Sequence, residues 1–447
     1  MMSINKFFLS LLVLFAQSAH AIPEIQHWQT AHGAQVYFVE AHELPIMDIK
    51  IIFDAGSGRD GDKPGLALMT NGMLSEGAGG LSADDISRNF ENLGANFNSN
   101  ANVDSAAVGM RALADKATYQ PAFDTLKKVI AEPDFPEDAF ERLRNQTLVS
   151  ILHKQQSPGA LANDAFNAAI YGEHPYANPE EGTEESVKSL TIPGMKAFHK
   201  RYYVAKNAVV AIVGDLDRAQ AEALARELVS VLPAGEKAAP LPAVKPLTEA
   251  KTVYIDHPSS QTHILVGQPG IRRDDPDLFP LYVGNFVLGG GGMVSRLFEQ
   301  IREKRGLSYS AYSYFIPRKQ AGPFVAGLQT RNDQVDEALQ VLLQQLDAFV
   351  KNGPSEQELE SGKKNLTGGF PLRIDSNSDI MGYLSMIGFY GLPLDYLQTY
   401  NDKIMAVTPE QIKEAFQRHL STDKFVTVLV GPGAADEAKT TQADAGE

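Results

Sequence analysis

A helix that grips a catalytic metal ion needs lone-pair donors at positions i, i+3 and i+4, because those positions share one face. The stretch PGLALMTNGMLSEG, Pro64 to Gly77, has the rhythm of such a helix. Apolar residues recur at helical spacing, Pro64 suits a first turn, and Gly77, Gly79 and Gly80 follow. Its three co-facial positions hold Leu68, Asn71 and Gly72. Leucine has no lone pair, glycine has no side chain, and an asparagine amide is too weak a base to activate water.

Other chemistry is sparse. With no cysteine, the chain has no thiol nucleophile and no thiolate metal site. His27, His32, His42, His153, His174, His199, His257, His263 and His419 form no H-x-x-x-H or H-x-x-E-H pair, and no G-x-S-x-G string occurs. In IREKRGLSY, Arg302 and Tyr309 stand seven residues apart. An arginine supplies a planar set of donors and a tyrosine one O–H. By themselves they read equally as a solvated helix end and a packed residue of the Tyr-rich run YSAYSY.

The elements that must position these residues occur twice. MDIKIIFDAG and THILVGQPG read as early strands, GANFNSNANVDSAAVGMRAL as a strand pair, and AFDTLKKVIAEP and EALQVLLQQLDAFVKNG as amphipathic helices. Strict βαβ alternation is missing, so the expected class is α+β with a largely antiparallel sheet in each domain and helices packed on it. Phe198 and Phe416, Gly214 and Gly431, and the strings YGEHP and YGLP ending at Pro175 and Pro393 repeat at one offset to within a residue. Two homologous domains are therefore expected, 22–231 and 251–433, forming a clamshell. The Pro-rich stretch 232–250 would join them.

At 447 residues the chain exceeds one ordinary core. A formal charge of −15 without a clustered basic surface excludes nucleic acid as a partner. Residues 1–21 read as a signal peptide: Lys6, the apolar run FFLSLLVLFA, then Ala19-His20-Ala21. That run is too short for a stable membrane anchor, so a periplasmic or secreted location is expected. The polar residues 434–447 read as a disordered tail.

LGGGGMVSRLFEQIREKRGLSYSAYSYF, Leu288 to Phe315, together with GLALMTNGMLSEG, resembles the pitrilysin/insulinase family of zinc peptidases, the inverzincins. The resemblance covers about residues 25 to 433. Family catalysts carry H-x-x-E-H where this chain has Leu68, Asn71 and Gly72, with a third ligand, a glutamate, near RNQTLVSILHKQQSP. No Glu occurs between Glu141 and Glu173, so this chain is expected to bind no zinc there. Arg302 and Tyr309 match an arginine and tyrosine that complete the family's active site from its C-terminal half. Asn98, in GANFNSNANVD, matches a substrate-pairing strand, or belongs to an ordinary edge strand. Gly289, Gly290, Gly291 and Gly292 form a substrate-contacting loop or a tight turn.

The resemblance implies a non-catalytic subunit of an exported heterodimeric zinc metalloendopeptidase, inactive alone. Arg302 and Tyr309 would act in trans on an extended peptide at the zinc of a paralogous subunit bearing H-x-x-E-H. The alternative is a peptide-binding or structural subunit of an envelope complex with no peptidase role.

Overall fold

The computed structural model describes residues 23–433; the signal sequence and the C-terminal tail read from the sequence lie outside the described residues. The N-terminal half begins with β1 (Gln26–Gln29), β2 (Gln35–Glu40) and β3 (Ile46–Phe53), then α1 (Leu66–Met73). A small ribbon of β4 (Gly77–Ala78) and β5 (Leu81–Ser82), helix α2 (Ala83–Glu91) and the hairpin β6 (Asn96–Ala101) and β7 (Ala106–Leu113) follow. Helices α3 (Lys116–Ala131), α4 (Glu137–Lys154), α5 (Pro158–Tyr171), α6 (Glu184–Ser189) and α7 (Ile192–Tyr202) lead to β8 (Ala208–Gly214) and α8 (Arg218–Ser230).

The C-terminal half runs β9 (Lys251–Asp256), β10 (Gln261–Pro269), α9 (Leu278–Asn285), β11 (Ser308–Phe315) and β12 (Pro323–Arg331). It closes with α10 (Val335–Asn352), α11 (Glu356–Gly368), α12 (Asn377–Tyr390), α13 (Tyr396–Ala406), α14 (Pro409–His419) and β13 (Val426–Gly431).

The duplication is visible in the sheets. The first has the order β1-β2-β8-β3-β7-β6 and the second β9-β13-β10-β12-β11. Without β1 the two orders correspond strand for strand. In each the first pair is parallel (β2 with β8, β9 with β13) and the other pairs are antiparallel. Central strands such as β3, IMDIKIIF, are buried at nearly every position, as expected of a sheet covered on both faces.

Part of that cover is exchanged between the halves. Helix α5 lies on the second sheet, where Ala162, Phe166 and Ile170 meet Leu265, Val325 and Val428. Helix α12 lies on the first, where Ile380, Leu384 and Ile387 share a core with Tyr37, Val39 and Val213. Gly388 makes that seat possible: a Cβ there would stand 2.7 Å from Val209 Cγ1 and 2.8 Å from Tyr37 Cδ2.

The Pro-rich stretch 232–250 has neither helix nor strand. It is nonetheless fixed, with Leu241 buried, the Pro242 carbonyl 3.0 Å from His174 Nε2 and the Leu241 carbonyl accepting from Gln320 Nε2 at 3.1 Å.

Candidate functional site

Helix α1 starts two residues after Pro64, and its N-terminus is held by a residue that sequence reasoning passed over. The buried Asp60 accepts from the backbone N–H of Gly65 at 2.8 Å and of Ala67 at 2.7 Å, satisfying two donors that a helix start leaves free. Burial pushes the Asp60 carboxyl up to about 7, against the opposing pull of these N–H groups.

The three co-facial positions of α1 do different work from one another. Leu68 is exposed. Asn71 is buried, its amide donating to Tyr203 Oη at 3.3 Å and directed at the Ala107 carbonyl at 3.5 Å. It pins α1 to β7 and to the residue after α7. Gly72 faces α4, where a Cβ would stand 3.1 Å from Leu143 Cδ2. On α4 the residues after Glu141 include no carboxylate, Glu141 itself is paired with Arg144, and Val149 and Leu152 lie exposed. The zinc implied by the family does not fit this donor set. Where a second histidine would reach inward, a leucine packs, and the base position is a structural amide.

Among the described residues the only trio of closely spaced ligand-type side chains is Asp275, Asp277 and His419, in the other domain. His419 Nε2 lies 2.9 Å from Asp277, which also pairs with Arg418 at 3.2 Å at the start of α9.

Arg302 and Tyr309, expected from the C-terminal half, are brought together by the structure. Between α9 and β11 the chain passes through π-helical turns at Phe286–Gly290 and Phe298–Glu303, an uncommon geometry frequent at functional sites. Arg302 sits in the second turn. The chain reverses at Gly306 (φ +64°) and enters β11. There Tyr309 and Ser310 together oppose the single residue Gln329, a β-bulge between the Ser308–Thr330 and Ala311–Leu328 pairs. The Ser308 hydroxyl locks it, lying 2.7 Å from both the Ser310 and Gln329 carbonyls. The bulge turns Tyr309 out to 76% exposure, and the Arg302 guanidinium lies 4.3 Å from the centre of its ring. Neither side chain has a hydrogen-bond acceptor or a carboxylate partner among the described residues.

The glycine run braces this strand. Gly289 crosses β11 so closely that a Cβ would stand 2.4 Å from Ser313 N, and Gly290 and Gly291 pack on Asn285 and Phe286. Gly292 adopts φ +60° and delivers Met293 and Val294 to the surface. Asn285, outside the quoted strings, and Ser313, within the Tyr-rich run but given no role there, tie α9 to β11. The Asn285 amide donates to the Ser313 carbonyl at 2.9 Å, and the Ser313 hydroxyl to Asn285 Oδ1 at 2.7 Å.

Asn98 is exposed on β6, an edge strand that packs beside α1 and, among the described residues, pairs only with β7. Asn98 and the α1 positions belong to the first sheet's side of the molecule, and Arg302 and Tyr309 to the second's.

A buried polar clasp joins the two. Asp54, after β3, accepts from Arg59 Nε at 2.9 Å and Nη2 at 2.8 Å and pairs with Lys319 from the β11–β12 connection. Asp104, in the β6–β7 turn, accepts from the Lys319 backbone N–H and from Tyr390 Oη, both at 2.9 Å, and from Tyr176 Oη. Burial, reinforced by Asp104, raises both phenols above the ordinary tyrosine range, so they remain hydrogen-bond donors.

Two family models match the chain: Insulinase (Peptidase family M16) over residues 36–184 and Peptidase M16 inactive domain over residues 189–366. A crystal structure described as a peptidase M16 inactive domain from Pseudomonas fluorescens is 42% identical, covers 92% of this chain and 99% of its own, and superposes with a TM-score of 0.89. The chain belongs to peptidase family M16. Among M16 relatives it is similar to the non-peptidase homolog YmxG of Helicobacter pylori, 27% identical over 90% of this chain and 93% of that protein. It is also similar to an uncharacterized zinc protease of Mycobacterium leprae, 30% identical over 70% of this chain and 71% of that one.

Proposed function

We propose that this M16 chain is a non-catalytic subunit of an exported heterodimeric zinc metallopeptidase, whose paralogous partner carries H-x-x-E-H. The observation that carries the reading is the Arg302–Tyr309 pair: a half-buried arginine against an exposed tyrosine that a bulge turns outward, neither with an acceptor among the described residues. Peptide hydrolysis passes through a tetrahedral oxyanion. A phenol O–H aimed at that oxygen stabilises it, and an arginine fork holds a neighbouring carbonyl in register. Tyr309 and Arg302 would supply these donors to an extended peptide held in the partner's site. The open edge of β6, with Asn98, could pair with that peptide's backbone, and Gly289 to Gly292 would brace the strand that presents Tyr309. The resemblance of this chain to a relative named as a non-peptidase homologue supports the first part of this reading.

Metal content and peptidase activity of the purified chain test it. Alone it should contain no stoichiometric zinc and cleave no peptide; co-expressed with an H-x-x-E-H paralogue it should restore cleavage. A peptide-binding or structural role would instead leave the mixture inactive while the two chains still associate.

A further inference from the structure

The C-terminal domain contains a cavity of about 350 Å³ that the Arg302–Tyr309 site does not use. It lies between α9, α12, α13 and the far end of β11, and its walls are largely apolar and aromatic, Phe279, Tyr314, Phe315 and Tyr383 among them. Two arginines, Arg273 and Arg373, face it, and no Asp or Glu lines it.

Its donors outnumber its acceptors. Tyr282 Oη accepts from Arg373 Nη1 at 2.9 Å and from Tyr400 Oη at 3.3 Å, so the proton of Tyr282 remains to be donated. Nε of Arg273 is buried with no hydrogen-bond partner, while its guanidinium stands 5.3 Å from the Tyr390 ring centre. Of the carboxylates nearby in the chain, Asp274 pairs with Arg272, Asp277 with His419, and Asp379 with the Ser376 hydroxyl. Burial raises the phenols of Tyr383 and Tyr400 and pushes that of Tyr396 up to about 12, so none offsets the arginine charges.

A buried donor left unpaired is costly, and the partner these donors lack is an anion with two acceptor oxygens. We propose that this cavity binds a compact apolar or aromatic group carrying one carboxylate. The carboxylate sits between Arg373, Tyr282 and Arg273, and the apolar body against Phe279, Tyr314 and Phe315. The volume lies at the small end of the range for ligand pockets, which limits the body to a single ring or a branched chain. That chemistry has two sources, a free arylalkanoic acid or the C-terminal residue of a peptide. The site lies five residues along β11 from Tyr309, about 16 Å at strand spacing, and does not depend on the role proposed for that tyrosine.

Isothermal titration of the full chain distinguishes the cases. 3-Phenylpropionate and N-acetylphenylalanine should each bind saturably at one site, and N-acetylphenylalanine amide at least tenfold more weakly. Equal affinity for the two acids identifies a free acid as sufficient; a tenfold advantage for N-acetylphenylalanine identifies a peptide C-terminus. Arg373→Gln, at an exposed position, should weaken the acids at least tenfold without changing the amide, and Tyr282→Phe should weaken them in a chain whose thermal unfolding is unchanged. Equal binding of acid and amide, indifference to both substitutions, or inorganic phosphate binding as tightly as the acids would overturn the proposal.

Discussion

At the scale of single residues, Leu68, Asn71 and Gly72 stand where the resemblance places H-x-x-E-H, and two of the three are taken up by packing. Asn71 anchors α1 and Gly72 receives Leu143, while Leu68 stays exposed on the same face. Asp60 holds the start of the same helix, and its titration has a readable consequence. A folded-state value near 7 against an ordinary 3.8 means that the folded chain keeps a proton the unfolded chain has already released. The stability this gives is complete below about pH 3.8 and is lost as pH rises to about 7, at a slope of at most about 1.4 kcal/mol per pH unit. Denaturant unfolding at pH 5 and pH 8 should show this loss in the native chain and a flatter profile in Asp60→Asn. Ligand loss was legible in the sequence because it concerns side-chain types at fixed helical spacing. Asp60 was not: a lone aspartate in a Gly-rich loop looks like surface charge until the chain folds back over it.

At the scale of elements, the bulge in β11 turns Tyr309 outward, and the clasp after its other end ties β11 to the first sheet's side. The clasp buries Asp54 and Arg59 almost completely, both side chains being under 10% exposed. Removing one member of such a pair leaves the other charge buried and unmatched, at a cost of roughly 3–5 kcal/mol. Asp54→Ala should therefore destabilise the chain by about that amount in equilibrium denaturation, and far more than an exposed pair such as Lys188 with Glu184 would on losing one partner. The strands, the hairpin around Asn98 and the amphipathic helices were readable from hydrophobic period and turn residues. The clasp was not: Asp104 ends the string GANFNSNANVD, but its partner Lys319 carries no motif and lies far away in the chain. The exchange of α5 and α12 was equally hidden, since amphipathicity says that a helix buries one face and not which sheet receives it.

At the scale of the whole molecule, the repeat read from Phe198, Gly214 and their counterparts corresponds to two sheets of one strand order, interlocked by the exchanged helices. Separating the halves would strip Ile380, Leu384 and Ile387 from the first sheet, each such side chain contributing roughly 1.5–3 kcal/mol by its burial. The exchanged helices make the two halves depend on one another, and β11 presents Tyr309 at the surface with Arg302 against its ring. The most direct test is the turnover of the complex with an H-x-x-E-H paralogue when Tyr309 is replaced by phenylalanine. With assembly confirmed by co-purification, kcat should fall about a hundredfold, the scale of losing one oxyanion donor, with little change in KM. Turnover at the native rate in an assembled Tyr309→Phe complex would contradict the account.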